Sequence, residues 1–188
     1  MSRADEPETS ADLVADGGPG PERPADPPAV LAVHAADVAP ASGFAKPARS
    51  VVRLEATLGV EGDRHGDRPL RQVHLVDAAR YGLLRGGGHD VGPGYLGENV
   101  TTSGVDLLSL KTGAVLRLGA AARVRVTGLR HPRHEDPATD PVGLSLDADG
   151  VPVGRVGVFA VVETPGEVRA GDPVVVEDAG DGGPLRPL

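Results

Sequence analysis

The chain contains no cysteine in its 188 residues. Disulfide bonds, thiolate metal ligands, cysteine nucleophiles and persulfide carriers are therefore chemically excluded. Aromatic side chains make up only 2% of the sequence, and tryptophan is missing altogether. A core has to be built from valine, leucine and alanine, and the aromatic platforms that stack single-stranded nucleic acid are lacking.

Long apolar runs and an excess of basic charge are also missing. No apolar run reaches the roughly 18 residues needed to cross a bilayer, and the N-terminal segment is acidic where a signal peptide is basic and then apolar. The net charge is −8, whereas nucleic acids and anionic membranes attract basic surfaces. We therefore expect a cytoplasmic protein with neither a nucleic-acid partner nor a membrane partner.

Much of the acidity lies at one end of the chain. Residues 1–28 hold seven acidic side chains and two arginines in a proline-rich segment with few large apolar groups. Such a segment cannot bury enough surface to offset its ordering entropy, so we expect a disordered tail. We expect one folded domain over residues 29–178 and a flexible tail over residues 179–188.

Short, valine-rich segments broken by glycine predict most of the secondary structure. Residues 76–87 predict a helix that is capped by Asp77 and ended by glycines. An open sheet of many strands would expose its edges, so we expect a mainly β fold closed into a barrel, with one or a few short helices. The predicted strands are residues 29–38, 50–56, 71–76, 114–119, 122–129, 154–162 and 172–178.

A glycine-rich loop carries the first group of candidate functional residues. The segment GVEGDRHGDRPLRQVHL, residues 59–75, turns at its glycines and then enters a strand. Backbone N–H groups and guanidinium groups in such a loop can bind an anion. A solvated hairpin loop with local Asp–Arg pairs explains the same pattern. The charged side chains are Asp63, Arg64, His65, Asp67, Arg68 and Arg71.

Two other segments supply polar groups. GPGYLGENVTTSGVDL, residues 92–107, offers Glu98, Asn99 and Thr101 at a glycine-flanked strand start. These groups suit the polar edge of a heterocycle or a phosphate, although a turn with locally satisfied side chains is also common. Lys46, one of two lysines, is either a phosphate contact or an ordinary surface residue.

The segment TGLRHPRHEDP, residues 127–137, combines arginines, histidines and carboxylates. His131 and His134 would form a metal pair only on a helix, which Pro132 disfavours. Arg130 and Arg133 favour an anion instead of a metal, and we expect no metal site formed by this chain.

Six segments occur in the order and spacing of the MOSC domain family, which is named for the C-terminal domain of molybdenum cofactor sulfurases. The chain resembles the small, stand-alone bacterial type over residues 30–178. The resemblance implies a closed β-barrel. It also implies that the barrel either binds the molybdenum cofactor, which is a pterin dithiolene with a phosphate, or carries sulfur. Pyridoxal phosphate binding is a further expectation from the resemblance. The segments are GVEGDRH, RQVHLV, GYLGENVTT, DLLSLKTGAVLRLG, VTGLRHP and GEVRAGDPVVV.

The resemblance also implies roles for individual residues. Asp63 and His65 would act in catalysis, together with Arg133, which stands at the position of the family's reactive cysteine. An arginine cannot ligate a metal at neutral pH. The cofactor-binding residues would be Lys46, Arg64, Gln72, Glu98, Asn99, Thr101 and Arg130.

Three functions follow as hypotheses. The first is a molybdenum-cofactor-dependent oxidoreductase or sulfurtransferase with altered activity and a reductase partner. The second is a non-catalytic binding module for a small anionic ligand, anchored by Arg64, Arg130 and Arg133. The third is a structural barrel whose acidic tail is an interaction arm.

Overall fold

The computed structural model describes residues 26–36, 45–64, 68–130, 144–146 and 152–188. Within these residues lie thirteen β-strands, one α-helix and one short 3-10 helix. The predicted mainly β class is therefore confirmed. Most of the expected disordered tail, residues 1–28, lies outside the described part of the chain.

Each of the seven segments predicted as strands contains a strand of the structure. The strands that the sequence did not predict are four residues long or shorter, too short for a visible alternation of apolar and polar side chains. The strands are β1 (Ala29–His34), β2 (Ala48–Arg49), β3 (Val52–Glu55), β4 (Gly59–Val60), β5 (Val73–Asp77), β6 (Val100–Ser103), β7 (Val115–Leu118), β8 (Ala122–Arg130), β9 (Leu144–Leu146), β10 (Pro152–Gly154), β11 (Gly157–Thr164), β12 (Gly166–Val168) and β13 (Val174–Asp178).

The strands form one large sheet and two small ones. The eight-stranded sheet has the order β13-β7-β8-β11-β5-β6-β1-β2, and the small sheets have the orders β12-β3-β4 and β10-β9. All pairs in the large sheet are antiparallel except β5 with β6. This parallel pair requires a crossover connection, which residues 78–99 provide.

The two ends of the large sheet meet at isolated contacts. Ala29 and Pro173 form a single bridge, and the Val30 N–H donates to the Asp172 carbonyl at 2.8 Å. Farther along β1, Val33 and His34 pair with β2 instead. These contacts are less than a continuous ladder, so the closed barrel stays a prediction.

The crossover contains the helix α1 (Ala79–Gly86). Asp77 accepts a hydrogen bond from the Ala79 N–H at 2.8 Å, as expected for a residue that caps the helix, although Ala78 occupies the cap position itself. No helix among the described residues is long and apolar enough to cross a membrane.

Strand β5 is buried on both faces. Val73 and Leu75 belong to the main core of valine, leucine and alanine side chains. Val76 belongs to a second apolar cluster beneath α1, which includes Tyr81. Because side chains alternate along a strand, His74 lies on the same face as Val76, outside the main core. The fold thus buries a histidine in the middle of the sheet.

The segment after β13, for which the sequence predicts a flexible tail over residues 179–188, makes main-chain contacts with the rest of the domain. Thr112 donates a backbone hydrogen bond to the Gly183 carbonyl at 3.0 Å, and Leu129 donates one to the Arg186 carbonyl at 2.8 Å. A Cβ atom on Gly128 would lie 2.6 Å from that Arg186 oxygen. These main-chain contacts, which a polar, glycine-rich composition does not reveal, place residues 183–188 beside the end of β8 that extends beyond its pairing with β7.

Two glycines permit a test of close packing between backbones. Gly59 and Gly62 have φ angles of 87° and 74°, but a Cβ on Gly59 would lie 2.2 Å from the Gln72 carbonyl oxygen, whereas one on Gly62 meets no atom within 4 Å. We predict that Gly62→Ala costs about 1 kcal/mol for the left-handed backbone, and that Gly59→Ala costs at least about 2 kcal/mol more because of the clash. Urea denaturation measures both, and equal losses would contradict the close approach.

Candidate functional site

A buried ion pair joins two loops to the start of β6. The Lys46 Nζ atom lies 2.9 Å from the Asp63 Oδ2 atom, and both side chains are almost fully buried. The same oxygen accepts hydrogen bonds from the Asn99 side chain at 2.9 Å and from the Ala36 N–H at 3.2 Å. Three residues that the sequence singled out separately are thus in direct contact.

Asn99 connects this ion pair to the sheet. Its side-chain oxygen accepts a hydrogen bond from the His74 N–H at 3.1 Å, and its amide donates to the His34 carbonyl at 3.3 Å. Both N–H donors and the carbonyl oxygen of the Asn99 side chain therefore have hydrogen-bond partners. The side chain bridges β1 and β5 next to the point where β6 begins.

Glu98 organises the neighbouring turn through one of its oxygens. The Oε1 atom accepts hydrogen bonds from the Tyr81 hydroxyl, the Gly94 N–H and the Thr101 hydroxyl. The Oε2 atom is buried and accepts no hydrogen bond. One half of the carboxylate is therefore structural, and the other half retains its full capacity as an acceptor.

His34 lies beside this carboxylate at the end of β1. Burial lowers the pKa of the His34 imidazole, and the opposing charge of Glu98 only partly offsets this effect. Neither ring nitrogen makes a hydrogen bond of good geometry. A Cβ on Gly94 would lie 2.9 Å from the His34 Nδ1 atom and 2.5 Å from the Lys46 carbonyl oxygen. Glycine at 94 therefore lets the turn close against both residues.

His74 is a second buried imidazole with an unpartnered nitrogen, Nε2. Its ring packs against Phe159, with ring centroids 5.3 Å apart. Burial holds the pKa of His74 well below its ordinary value, and the positive charges of Arg130 and Lys46 lower it further. His74 is therefore neutral at pH 7 and can either donate or accept a hydrogen bond.

Burial also affects the other ionisable groups. Burial lowers the pKa of Lys46, although the contact with Asp63 raises it in part. Burial also lowers the pKa of Arg130. The pKa of Tyr81 is raised, first by burial and then by Glu98, so its hydroxyl stays protonated and donates.

We refer to His34, Lys46, Asp63, His74, Tyr81, Glu98, Asn99 and Thr101 as the buried polar cluster.

Some expected site residues lie apart from these contacts. The Gln72 side chain accepts a hydrogen bond from the Val162 N–H at 2.9 Å and so joins two strands. Arg64 is exposed, and its charge contributes to lowering the pKa of Lys46. His65 and Arg133, like His131 and His134, lie outside the described residues. In the part of the chain that is described, no three His, Asp or Glu side chains form a group that could hold a metal ion.

Sequence reasoning missed His34, His74 and Tyr81. His34 and His74 lie in runs of apolar residues and Tyr81 lies in a short helix, where such residues usually fulfil a structural role. The one available signal was the coincidence of two histidines in strands rich in valine, leucine and alanine. Their proximity depends on the parallel pairing of β5 and β6, which no local pattern shows.

The site thus consists of buried donors and acceptors, some of them unpartnered, at a point where several strands and a crossover turn meet. The chain belongs to the MOSC domain family, whose model matches residues 61–175. A comparison with curated protein sequences finds no match.

Solved structures share the fold at low sequence identity. The YuaD protein from Bacillus subtilis is 20% identical, with a TM-score of 0.60 over 78% of this chain and 93% of that one. YiiM from Geobacillus stearothermophilus is 19% identical, with a TM-score of 0.56 over 85% of this chain and 80% of that one. YiiM from Escherichia coli is 21% identical, with a TM-score of 0.50 over 80% and 68%.

The ion pair between Lys46 and Asp63 generates a stability prediction. Asp63→Asn leaves a buried ammonium uncompensated, so we expect it to lower the free energy of unfolding by about 3–5 kcal/mol. The control Glu163→Gln removes the partner of exposed Arg125 and should cost less than about 1 kcal/mol. Adding Lys46→Met to Asp63→Asn should recover part of the loss in a double-mutant cycle. Equal effects of the two single variants in urea denaturation would contradict a buried pair.

Proposed function

We propose that this MOSC protein binds a phosphorylated pterin, the molybdenum cofactor or a closely related anionic ligand, next to the buried polar cluster, and that it does so without a protein thiolate. The single observation that carries the proposal is the Oε2 atom of Glu98, a fully buried carboxylate oxygen that accepts no hydrogen bond. A buried acceptor of this kind is costly unless a donor satisfies it. A ligand that presents N–H groups supplies that donor.

The chemistry of the cluster fits the organic part of the cofactor. The pyrimidine edge of a pterin carries N–H donors and ring acceptors, which match a carboxylate and neutral imidazoles. Glu98, His34 and His74 provide these groups, and their unpartnered atoms are free to pair with such an edge. Because Glu98 is 0% exposed, a ligand that reaches it has to displace the groups that cover it.

The phosphate of the ligand requires cations. Arg130 ends β8 next to Leu129, and His74 precedes Leu75; since both leucines belong to the main core, alternation places Arg130 and His74 on the other face of the sheet. Arg64 is close enough to Lys46 to lower its pKa. Guanidinium groups bind phosphate with two parallel hydrogen bonds, and we assign the phosphate to Arg130 and Arg64, with Arg133 as a further candidate from its place in the sequence.

The metal part of the cofactor finds no ligand of the expected kind in this chain. There is no cysteine, and the family position holds Arg133, which cannot ligate a metal. When bound, the cofactor supplies the redox or sulfur-transfer chemistry and the dithiolene that ligates molybdenum. The chain's own residues bind the pterin, orient it and exclude water from it.

The second candidate function is a non-catalytic binding module, favoured by the cysteine-free composition. In that case the domain holds the ligand without reducing a substrate or carrying sulfur, and no reductase partner is needed. Pyridoxal phosphate is not part of either proposal, because an imine needs a free amine, whereas the Lys46 ammonium group is buried and paired with Asp63.

Ligand retention tests the proposed binding. After co-expression with the enzymes of cofactor synthesis, we expect the purified protein to retain pterin, measured by fluorescence after oxidation, and to lose most of it in Arg130→Gln. Loss of a charge-assisted contact should weaken affinity by about tenfold or more, and Arg130→Lys should restore part of it. The control Arg123→Gln changes an exposed arginine of the same strand. Wild-type protein without pterin would overturn the proposal.

Restoring the family residue separates the two candidate functions. We expect Arg133→Cys to raise the molybdenum content per bound pterin, because a thiolate adds a metal ligand. Elemental analysis and an N-oxide reduction assay are run on both proteins. Reduction in the variant alone identifies the wild type as a binding module, whereas reduction in both shows that the reaction proceeds without the thiolate. An unchanged molybdenum content in the variant would contradict the placement of residue 133 at the metal.

A further inference from the structure

The glycine-rich loop within residues 59–75 contains a β-turn that the proposed function does not use. Residues 68–71 read Arg-Pro-Leu-Arg, and the Arg71 N–H donates to the Arg68 carbonyl at 3.2 Å. Proline at the second position favours such a β-turn, whose first and last Cα atoms lie within about 7 Å of each other. The turn therefore keeps the backbone positions of its two arginines close together, and both residues line one cavity.

The turn is fixed on the sheet. The Thr127 hydroxyl donates to the Leu70 carbonyl at 2.7 Å. The Arg71 guanidinium group lies over the Phe159 ring, 5.8 Å from its centroid. A cation held on an aromatic face is oriented without being neutralised, so Arg71 keeps its charge available in a defined position.

A cavity of about 450 Å³ opens beside this turn, lined by Arg68, Pro69, Leu70, Arg71 and Leu188. Its volume is in the range of small-molecule sites. The opposite wall is also held in place, because the Leu188 N–H donates to the Leu129 carbonyl at 3.2 Å. Leu70 is 54% exposed and Leu188 is 38% exposed, so two apolar side chains face solvent around two arginines.

The charges of this cavity are unbalanced. Arg117 and Arg123 share Glu177, and Arg125 pairs with Glu163. By contrast, neither Arg68 nor Arg71 forms an ion pair with any carboxylate in the described part of the chain. Two neighbouring, unpaired guanidinium groups on an acidic protein attract an anion.

We infer that this cavity is a second binding site, specific for a small organic anion with an apolar body. The carboxylate or phosphate group lies between Arg68 and Arg71, and the apolar body packs on Leu70 and Leu188. The residues that line this cavity include none of the buried polar cluster, although Phe159 contacts both Arg71 and His74. The second site does not depend on the proposed pterin binding.

The test is an NMR titration of the full chain with labelled leucine methyl groups. The probes are hexanoate and hexyl phosphate, with hexanol as the neutral analogue. We expect saturable shifts of Leu70 and Leu188, and affinity for hexanol at least about tenfold weaker than for hexanoate. Arg68→Gln and Arg71→Gln should each weaken hexanoate binding by about tenfold. The matched control is Arg169→Gln, which removes the same charge from an exposed turn.

Four results would overturn the inference. Equal affinity for hexanol would reduce the site to an apolar groove. An equal loss in Arg169→Gln would indicate a response to net charge alone. Shifts at leucines other than Leu70 and Leu188 would place the binding elsewhere. If neither anion saturates the shifts up to about 20 mM, the binding is weaker than a specific site requires.

Discussion

The candidate site depends on one buried ion pair, Lys46 with Asp63. Two charges removed from water are stable only if each has a partner and further hydrogen bonds satisfy the remaining polar atoms. Asn99 and the Ala36 N–H supply those hydrogen bonds to Asp63. The pair consequently fixes two loops against the junction of β1, β5 and β6, and the polar groups on either side of it are held at defined positions.

Glycine has a corresponding role on the opposite side of the cluster. Gly94 donates to Glu98, accepts from the Lys46 N–H, and leaves no room for a side chain beside His34. The Lys46–Asp63 pair and the group formed by Glu98 and His34 therefore meet at a residue with no side chain. A polar site built in this way tolerates little movement, which is the condition for recognising the edge of a heterocycle.

Much of the fold could be predicted from the sequence, because long strands of valine and leucine carry a visible alternation. The helix α1 was also predicted, with Asp77 as a contributor to its start. The short strands β2, β4 and β12 could not be predicted, since two or three residues have no periodicity. Lys46, Asp63, Glu98, Asn99 and Thr101 were singled out by residue type and by resemblance, but their mutual contacts depend on tertiary pairing. His34 and His74 were missed because a single histidine in a run of apolar residues usually has a local role, and Tyr81 because an aromatic residue in a helix usually serves the core.

The parallel pairing of β5 and β6 has a consequence for the order of folding. Antiparallel neighbours such as β7 and β8 are close in sequence and can associate early, whereas β5 and β6 meet only after the intervening crossover has been placed. Asn99 and Glu98 lie at the end of that crossover, and their partners are on β1, on α1 and in two loops. The polar cluster also needs the pairing of β1 with β6, whose partners are farther apart in sequence, so we expect its hydrogen bonds to be complete only when these long-range pairs have formed.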